Sequence, residues 1–125
     1  MKVLIIEETA DTPYINLNPN TGIFEFRGNS IPENVSSFYE PILDWLDRYI
    51  ECPNENTKFN FKLKMISSAS SKIFFDILIK IDMIHELENS NVKVSWFYNI
   101  FDDEIKDIGL DYKDSMNVPF ELISN

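Results

Sequence analysis

Residues 58–65 read Lys-Phe-Asn-Phe-Lys-Leu-Lys-Met, a strict alternation of polar and apolar side chains. This period of two predicts a β-strand with one buried face, formed by Phe59, Phe61, Leu63 and Met65. Apolar residues then recur at helical spacing from about Ser70 to Glu88, Asn89–Asn91 closes the helix, and Val92–Tyr98 is extended again. Because a strand, a long helix and a strand follow one another, we expect two parallel strands joined by a right-handed crossover.

The segment before this unit predicts a β-hairpin and a helix. Residues 2–7 are a short candidate strand, and within residues 13–28 two extended runs flank the turn-forming sequence Asn-Pro-Asn-Thr-Gly, which indicates a hairpin. Gly28-Asn29-Ser30 is expected to break the second of these strands. The first helix is expected to open at Pro32-Glu33-Asn34 and to end at Cys52-Pro53-Asn54, and Pro41 either bends it or marks its real start.

The segment after the unit predicts a short acidic helix over residues 102–113, ending near Gly109 or beyond, and a last edge strand over Pro119–Ile123. The predicted fold class is therefore α/β, with a mixed β-sheet, an N-terminal hairpin, a βαβ crossover and helices packed on the sheet. Residues 1–125 contain no repeat or linker and are expected to form a single domain. Trp45 and Trp96 are expected in its core.

Composition and charge narrow the functional classes. The 125 residues include one cysteine, Cys52, so no internal disulfide can form, and no apolar run reaches the length of a signal-peptide core or a membrane span. We therefore expect a soluble, cytoplasmic protein. The net charge of −10 repels phosphate backbones and anionic lipids, so no nucleic-acid or membrane partner is expected. The charge suits a protein partner with a basic face, or simply keeps the chain in solution.

A cluster of serines, Ser67-Ser68-Ala69-Ser70-Ser71, lies where the central strand gives way to the long helix. Ser70 or Ser71 can cap this helix, since a serine hydroxyl at an N-cap accepts a hydrogen bond from a free backbone N–H. The same helix end carries a partial positive charge that favours a phosphate. The cluster is therefore either a structural cap or a phosphorylation switch that changes the surface of a folded domain.

Several motifs resemble those of the SiaC-like family of bacterial regulatory phosphoproteins, whose fold is of the STAS, or anti-sigma-factor-antagonist, type. The resemblance runs from about Thr12 to Ile123, and the order and spacing of its motifs are more specific than any one of them. In chain order the motifs are Pro32-Glu33-Asn34, Asp44-Trp45-Leu46, Ser67-Ser68-Ala69-Ser70-Ser71-Lys72 followed by Asp76, Val92–Tyr98, and Pro119-Phe120.

The resemblance implies a protein that switches partners when it is phosphorylated. In such a protein a protein kinase phosphorylates a hydroxyl residue at the start of this helix, and a PP2C-type phosphatase removes the phosphate. The unphosphorylated form binds and activates a diguanylate cyclase, which raises cyclic-di-GMP and promotes biofilm formation or aggregation. Another signalling effector can take the place of the cyclase.

By this resemblance, counting back from Asp76 places Ser68 at the phosphoacceptor position, where the family has a threonine. Ala69 and the additional serines depart from the family pattern, so Ser67 and Ser70 remain alternative acceptors. Ser67 stands where the family has an asparagine.

The expected partner-binding surface surrounds Ser68. Lys72, Asp76 and Lys80 recur at every fourth position and form a polar stripe along the helix. Phe74 or Phe75, about one turn beyond the serines, is a candidate exposed anchor for the partner, although burial in the core accounts for either residue.

The same serines could instead serve as a catalytic nucleophile. A serine hydrolase or transferase would need a base near Ser68, and the single histidine, His85, lies roughly 25 Å further along the helix. We therefore expect no catalytic residues and a solvated His85. A third possibility is a scaffold subunit that carries no modification.

Metal, cofactor and nucleic-acid sites are not expected. The acidic residues near position 102 do not match a calcium-binding loop, and Asp102 or Asp103 more simply caps a helix. The chain has only three glycines and lacks a glycine-rich phosphate loop. Lysines on one strand face, at 58, 62 and 64, are too few for a nucleic-acid surface, and such a row also guards an edge strand against aggregation.

Overall fold

A six-stranded mixed β-sheet organises the fold in the computed structural model, which describes residues 1–88 and 90–125. The strands are adjacent in the sheet in the same order as in the chain. Three helices connect the last four strands. In chain order the elements are β1 (Leu4–Ile6), β2 (Tyr14–Asn18), β3 (Ile23–Ser30), α1 (Val35–Glu51), β4 (Asn56–Ile66), α2 (Ser68–His85), β5 (Asn91–Tyr98), α3 (Asp103–Ser115) and β6 (Phe120–Ser124).

The predicted hairpin and the predicted parallel strands are both confirmed. Strands β1, β2 and β3 pair antiparallel, while β3 through β6 pair parallel. The expectation that Gly28-Asn29-Ser30 breaks β3 is wrong. The register between β3 and β4 shifts at Gly28 and Asn29, and Gly28 adopts a φ of 109°, which glycine tolerates, so the strand continues through a bulge to Ser30.

The three helices cover one face of the sheet, and the aromatic core lies between the two layers. Phe24, Phe26, Phe59 and Phe61 point from the sheet into this core and are fully buried. Trp45 and Trp96 are also buried, as predicted. In the described part of the chain, no helix is both long and apolar enough to cross a membrane.

Helix α3 approaches the sheet closely because it carries a glycine at the contact. A Cβ atom at Gly109 would overlap the indole ring of Trp96, and Trp96 Nε1 donates a hydrogen bond of 3.0 Å to the carbonyl of Ile105. The predicted acidic helix is confirmed and runs past Gly109 to Ser115. Asp102 is its N-cap and accepts from the Ile105 amide.

The structure also settles the open question about Pro41. Helix α1 begins at Val35, directly after its N-cap Asn34, so Pro41 lies inside the helix and does not mark its start. Pro41 is exposed. The helix ends at Glu51 with Cys52 as its C-cap, close to the predicted boundary.

Two predictions about β4 need correction. Phe59, Phe61 and Leu63 are buried, but Met65 is 53% exposed, because it lies beyond the bulge where the register shifts. Strand β4 pairs with β3 on one side and β5 on the other. Its lysines therefore do not guard a sheet edge.

Candidate functional site

A single residue, Ser67, connects β4 to α2. Its amide donates to the Ser30 carbonyl at 3.0 Å, and its Oγ accepts from the Ser70 amide at 3.1 Å. Ser67 is therefore the N-cap of α2, and the expectation that Ser70 or Ser71 caps the helix is wrong. Because Ser67 Oγ satisfies one of the free amides of the first turn, its hydroxyl stabilises the helix start.

Ser68 is the first residue of α2 and is exposed to solvent. Its carbonyl accepts a hydrogen bond of 2.8 Å from Ser71 Oγ, so the backbone at this position is held in place. The partial positive charge of the helix start lies beside its side chain. The Ser68 hydroxyl is therefore accessible from solvent without any opening of the core.

Ser70 has a different environment, since its side chain is fully buried. Ser30 Oγ donates to Ser70 Oγ at 2.8 Å and lies 2.6 Å from the Tyr39 hydroxyl. These three hydroxyl groups form a buried network between β3, α1 and α2. Burial raises the pKa of Tyr39 well above its ordinary value, so this phenol stays protonated at neutral pH.

The predicted polar stripe lies on the surface of α2. Lys72 and Asp76 are exposed and Lys80 is half-buried. Lys80 forms an ion pair with Asp47 of α1. The open question about the phenylalanines is also settled, because Phe74 is fully buried and Phe75 is 39% exposed.

Three apolar residues spaced four apart extend this surface along α2, and we call Phe75, Ile79 and Met83 the α2 stripe. All three are exposed, Met83 by 49%. Ile79 and Met83 were not among the predicted partner-binding residues. A signal was present, because α2 carries apolar residues on nearly every side, whereas a helix that packs on one sheet needs a single apolar face.

Two shallow grooves flank the α2 stripe. The groove between α2 and α3 has a volume of about 430 Å³ and its lining includes Lys72, Phe75 and Tyr112. The groove between α1 and α2 has a volume of about 440 Å³ and its lining includes Ile79 and Met83. Ser71 also lines the first groove, so this groove reaches the first turn of α2, where Ser68 lies.

The structure does not place His85, the candidate catalytic base, near Ser68. His85 is the last residue of α2, at the opposite end of the helix from Ser68. It is half-buried, and its Nδ1 has no hydrogen-bond partner among the described residues, so the prediction of a solvated histidine is wrong. Within residues 1–88 and 90–125, no group of three His, Cys, Asp or Glu side chains is placed to hold a metal ion.

Known proteins resemble this chain over nearly its whole length. A curated, uncharacterized protein of Pseudomonas aeruginosa strain UCBPP-PA14 is 23% identical over 122 residues, which cover 98% of this chain and 96% of that protein. Apo-SiaC from Pseudomonas aeruginosa superposes with a TM-score of 0.90 at 22% identity, covering 99% of this chain and all of that one.

A second solved structure contains the same fold bound to another protein. It is the diguanylate cyclase SiaD in complex with its activator SiaC from Pseudomonas aeruginosa, with a TM-score of 0.88 at 22% identity, covering 98% of this chain and 99% of the matched one. At this identity, both structures establish the fold. The family model described as "SiaC family regulatory phosphoprotein" matches residues 6–125, and the chain therefore belongs to the SiaC family of regulatory phosphoproteins.

Proposed function

We propose that this protein is a phosphorylation-controlled regulator whose residues 1–125 act as one domain, with Ser68 as the phosphoacceptor. In this proposal the unphosphorylated form binds a signalling partner along the α2 stripe, and the protein itself performs no catalysis. The observation that carries the proposal is the placement of Ser68. It is exposed at the start of α2, on the helix that also carries the exposed residues Phe75, Ile79 and Met83.

The environments of the three candidate serines favour Ser68 over the others. Ser67 Oγ is engaged as the N-cap, and Ser70 Oγ lies inside the core in a hydrogen bond with Ser30. A phosphate on either residue would cost a structural hydrogen bond, and on Ser70 it would also bury a charge. A phosphate on Ser68 would leave the fold intact.

A phosphate on Ser68 would change how a partner meets α2. It adds roughly −1.5 to −2 charge and three acceptor oxygens, and the helix start and the nearby Lys72 stabilise that charge in the free protein. A docked partner would remove water from this charge and would meet its bulk. Both effects weaken binding, so the modification separates the protein from its partner.

The partner that we propose is a diguanylate cyclase. The support is that a protein of the same fold, SiaC of Pseudomonas aeruginosa, forms a complex with the cyclase SiaD as its activator. The proposal includes a protein kinase and a PP2C-type phosphatase that act on Ser68 in the cytoplasm. Activation of the cyclase would then raise cyclic-di-GMP and promote biofilm formation.

The test compares Ser68→Ala and Ser68→Asp in binding to a diguanylate cyclase from the same cells, measured by calorimetry. We expect Ser68→Ala to bind like the unphosphorylated wild type and Ser68→Asp to bind about tenfold more weakly or worse. Ser36→Asp is the matched control, because Ser36 is also exposed in the first turn of a helix, α1. Equal binding by Ser68→Asp and Ser36→Asp would place the switch elsewhere.

Phosphopeptide mapping of the protein purified from its native cells tests the acceptor directly. We expect phosphate on Ser68. Phosphate on Ser67 or Ser70 alone would reject Ser68 as the acceptor, and a chain that carries no phosphate under any growth condition would support the unmodified scaffold instead.

A further inference from the structure

The face of the sheet that lies opposite the helices is uncovered. Strands β3 to β6 are parallel, and parallel strands in known proteins are almost always covered on both faces. Here the helices cover one face only. The uncovered face, which we call the open face, is therefore a surface with room for a partner.

The open face is basic, although the chain as a whole is acidic. The strands contribute to it five of the eleven lysine and arginine residues of the chain and two of its 21 acidic residues. The strand register places these side chains next to one another. The bases are Arg27, Lys58, Lys62, Lys64 and Lys93, and the acids are Glu25 and Glu121.

The bases on this face are adjacent in a way that does not stabilise the sheet. Arg27 lies directly across from Lys62, and Lys58 lies directly across from Lys93. Like charges placed opposite one another on neighbouring strands are destabilising. Glu25 offsets one pair, since its Oε1 lies 3.4 Å from Arg27 Nη1 and 3.7 Å from Lys62 Nζ. Glu121 offsets the other pair, since its Oε2 lies 2.9 Å from Lys93 Nζ. Two carboxylates balance only part of the charge of five bases, so the strands of the open face keep a net positive charge that an external anion would neutralise.

Polar atoms without partners lie in the middle of the same face. Asn16, Glu25, Asn60 and Ser95 are consecutive register neighbours across four strands. Among the described residues, Asn16 Oδ1, Asn60 Oδ1 and Ser95 Oγ have no hydrogen-bond partner. All three atoms are buried, and unpaired buried polar atoms are unfavourable and rare in proteins. A docked segment would meet the longer side chains around this row and not these atoms.

A groove at one end of the open face adds an apolar anchor point. It has a volume of about 850 Å³ and lies at the carboxyl ends of β4 and β5. Its lining includes Arg27, Lys62, Phe97 and Phe101, together with the acidic residues Asp102 and Asp103 at its rim. Phe101 is 92% exposed, and Lys62 Nζ lies 5.1 Å from the centroid of the Phe97 ring. Aromatic rings beside cations suit a ligand that carries both carboxylates and apolar side chains.

We propose that the open face is a docking surface, separate from the α2 stripe, for an acidic segment of a partner protein. Charge complementarity identifies the occupant. Charges in water are screened over about 8 Å at physiological ionic strength, so a short acidic segment would interact mainly with the bases of this face. A nucleic acid or an anionic membrane would extend past the face and meet the excess of acids on the rest of the chain. A symmetric pair of open faces would bring like charges together.

The probe for this proposal is a fluorescein-labelled helical peptide with glutamates along one side and leucine and phenylalanine along the other. Binding to the full chain is measured by fluorescence anisotropy. We expect binding that weakens as salt is added and is lost when the glutamates of the peptide are replaced by glutamine. We expect Arg27→Gln with Lys62→Gln to weaken binding about tenfold.

Three further variants distinguish this proposal from its alternatives. Lys2→Gln with Arg48→Gln removes the same types of charge from other surfaces, and it should leave binding nearly unchanged. Glu25→Gln frees Arg27 and Lys62 from their internal carboxylate, and it should strengthen binding. Ser68→Asp should have no effect, so the outcome does not depend on the phosphorylation switch.

Four results would overturn the proposal. The two double variants could weaken binding equally, which would show an effect of total charge. A single-stranded oligonucleotide, or vesicles containing phosphatidylserine, could bind more tightly than the peptide and with the same dependence on Arg27 and Lys62. Analytical ultracentrifugation could show self-association that Arg27→Gln with Lys62→Gln abolishes. Finally, the peptide could fail to bind even at low salt.

Discussion

At the scale of single residues, the serines of the β4–α2 connection show how position decides the role of one side chain. Ser67 caps the helix, Ser68 faces solvent, and Ser70 belongs to a buried network with Ser30 and Tyr39. The three hydroxyl groups have the same chemistry. Because their burial differs, a negative charge at Ser68 leaves the fold stable, whereas a negative charge at Ser70 destabilises it.

The first prediction concerns this difference. Ser70→Asp places a carboxylate where the side chain is fully buried, and we expect it to lower the free energy of unfolding by about 3 kcal/mol. Ser68→Asp, two residues earlier at an exposed position, should change it by less than about 0.5 kcal/mol. Urea denaturation followed by circular dichroism measures both. Equal stability of the two variants would contradict the assignment of Ser70 to the core.

At the scale of the element, α2 packs against the sheet and α1 with one side and leaves apolar residues on the other. Phe74, Ile77, Leu78, Ile81 and Ile84 are fully buried. The three residues of the α2 stripe are an additional apolar set that is exposed and lies outside this core. Such a patch is typical of a surface that a partner covers.

The second prediction is that Phe75→Ala and Met83→Ala weaken binding to the proposed cyclase partner while the free protein keeps its stability. Removing a well-packed interface anchor typically costs more than about 1 kcal/mol of binding free energy, whereas an exposed residue contributes little to folding. Calorimetry measures the binding and thermal unfolding measures the stability.

Leu110→Ala is the matched control for these variants, because Leu110 is exposed to the same degree as Phe75 but is absent from the lining of both grooves beside the α2 stripe. We expect this control to bind the cyclase like the wild type. If it weakens binding as much as Phe75→Ala does, the docking surface is not confined to the α2 stripe.

At the scale of the whole molecule, two buried tyrosines make the stability of the fold depend on pH in the alkaline range. Burial raises the pKa of Tyr39 and Tyr112 well above the ordinary value of about 10. Tyr39 lies in the hydroxyl network, and Tyr112 joins α3 to α2 through a hydrogen bond of 2.7 Å from its hydroxyl to the Ser71 carbonyl. Ionising either phenol inside the fold is therefore unfavourable.

The third prediction follows from these raised pKa values. Below about pH 10 the phenols are protonated in both the folded and the unfolded chain, so they do not lower the free energy of unfolding. Above about pH 10 the unfolded chain releases these protons and the folded chain retains them, so the free energy of unfolding should fall by up to about 1.4 kcal/mol per pH unit for each tyrosine.

Urea titrations across this alkaline range measure the slope. Tyr112→Phe should be less stable than the wild type at neutral pH, since it loses the hydrogen bond to Ser71, but its stability should fall less steeply as the pH rises. An identical slope in the variant would show that Tyr112 does not contribute to the pH dependence.

Local patterns in the sequence were sufficient to predict the type and order of the elements. The alternation in residues 58–65, the helical spacing that follows it, and the turn between Asn18 and Gly22 depend only on neighbours in the chain. They located every strand and helix to within a few residues. The predictions that were wrong concern positions where distant parts of the chain are in contact. At Gly28, for example, a strand break was expected, but pairing with β4 extends β3 to Ser30.

The sequence by itself therefore determined the α/β class, the parallel unit around β4 and the serine-containing start of α2. Only the tertiary structure decided which serine is exposed and which apolar residues of α2 remain outside the core. It also decided that the lysines of β4 lie beside Arg27 and Lys93 on the open face. The physical reason is that burial and charge proximity depend on which elements pack together. Residues far apart in the chain set those contacts, and no local pattern contains them.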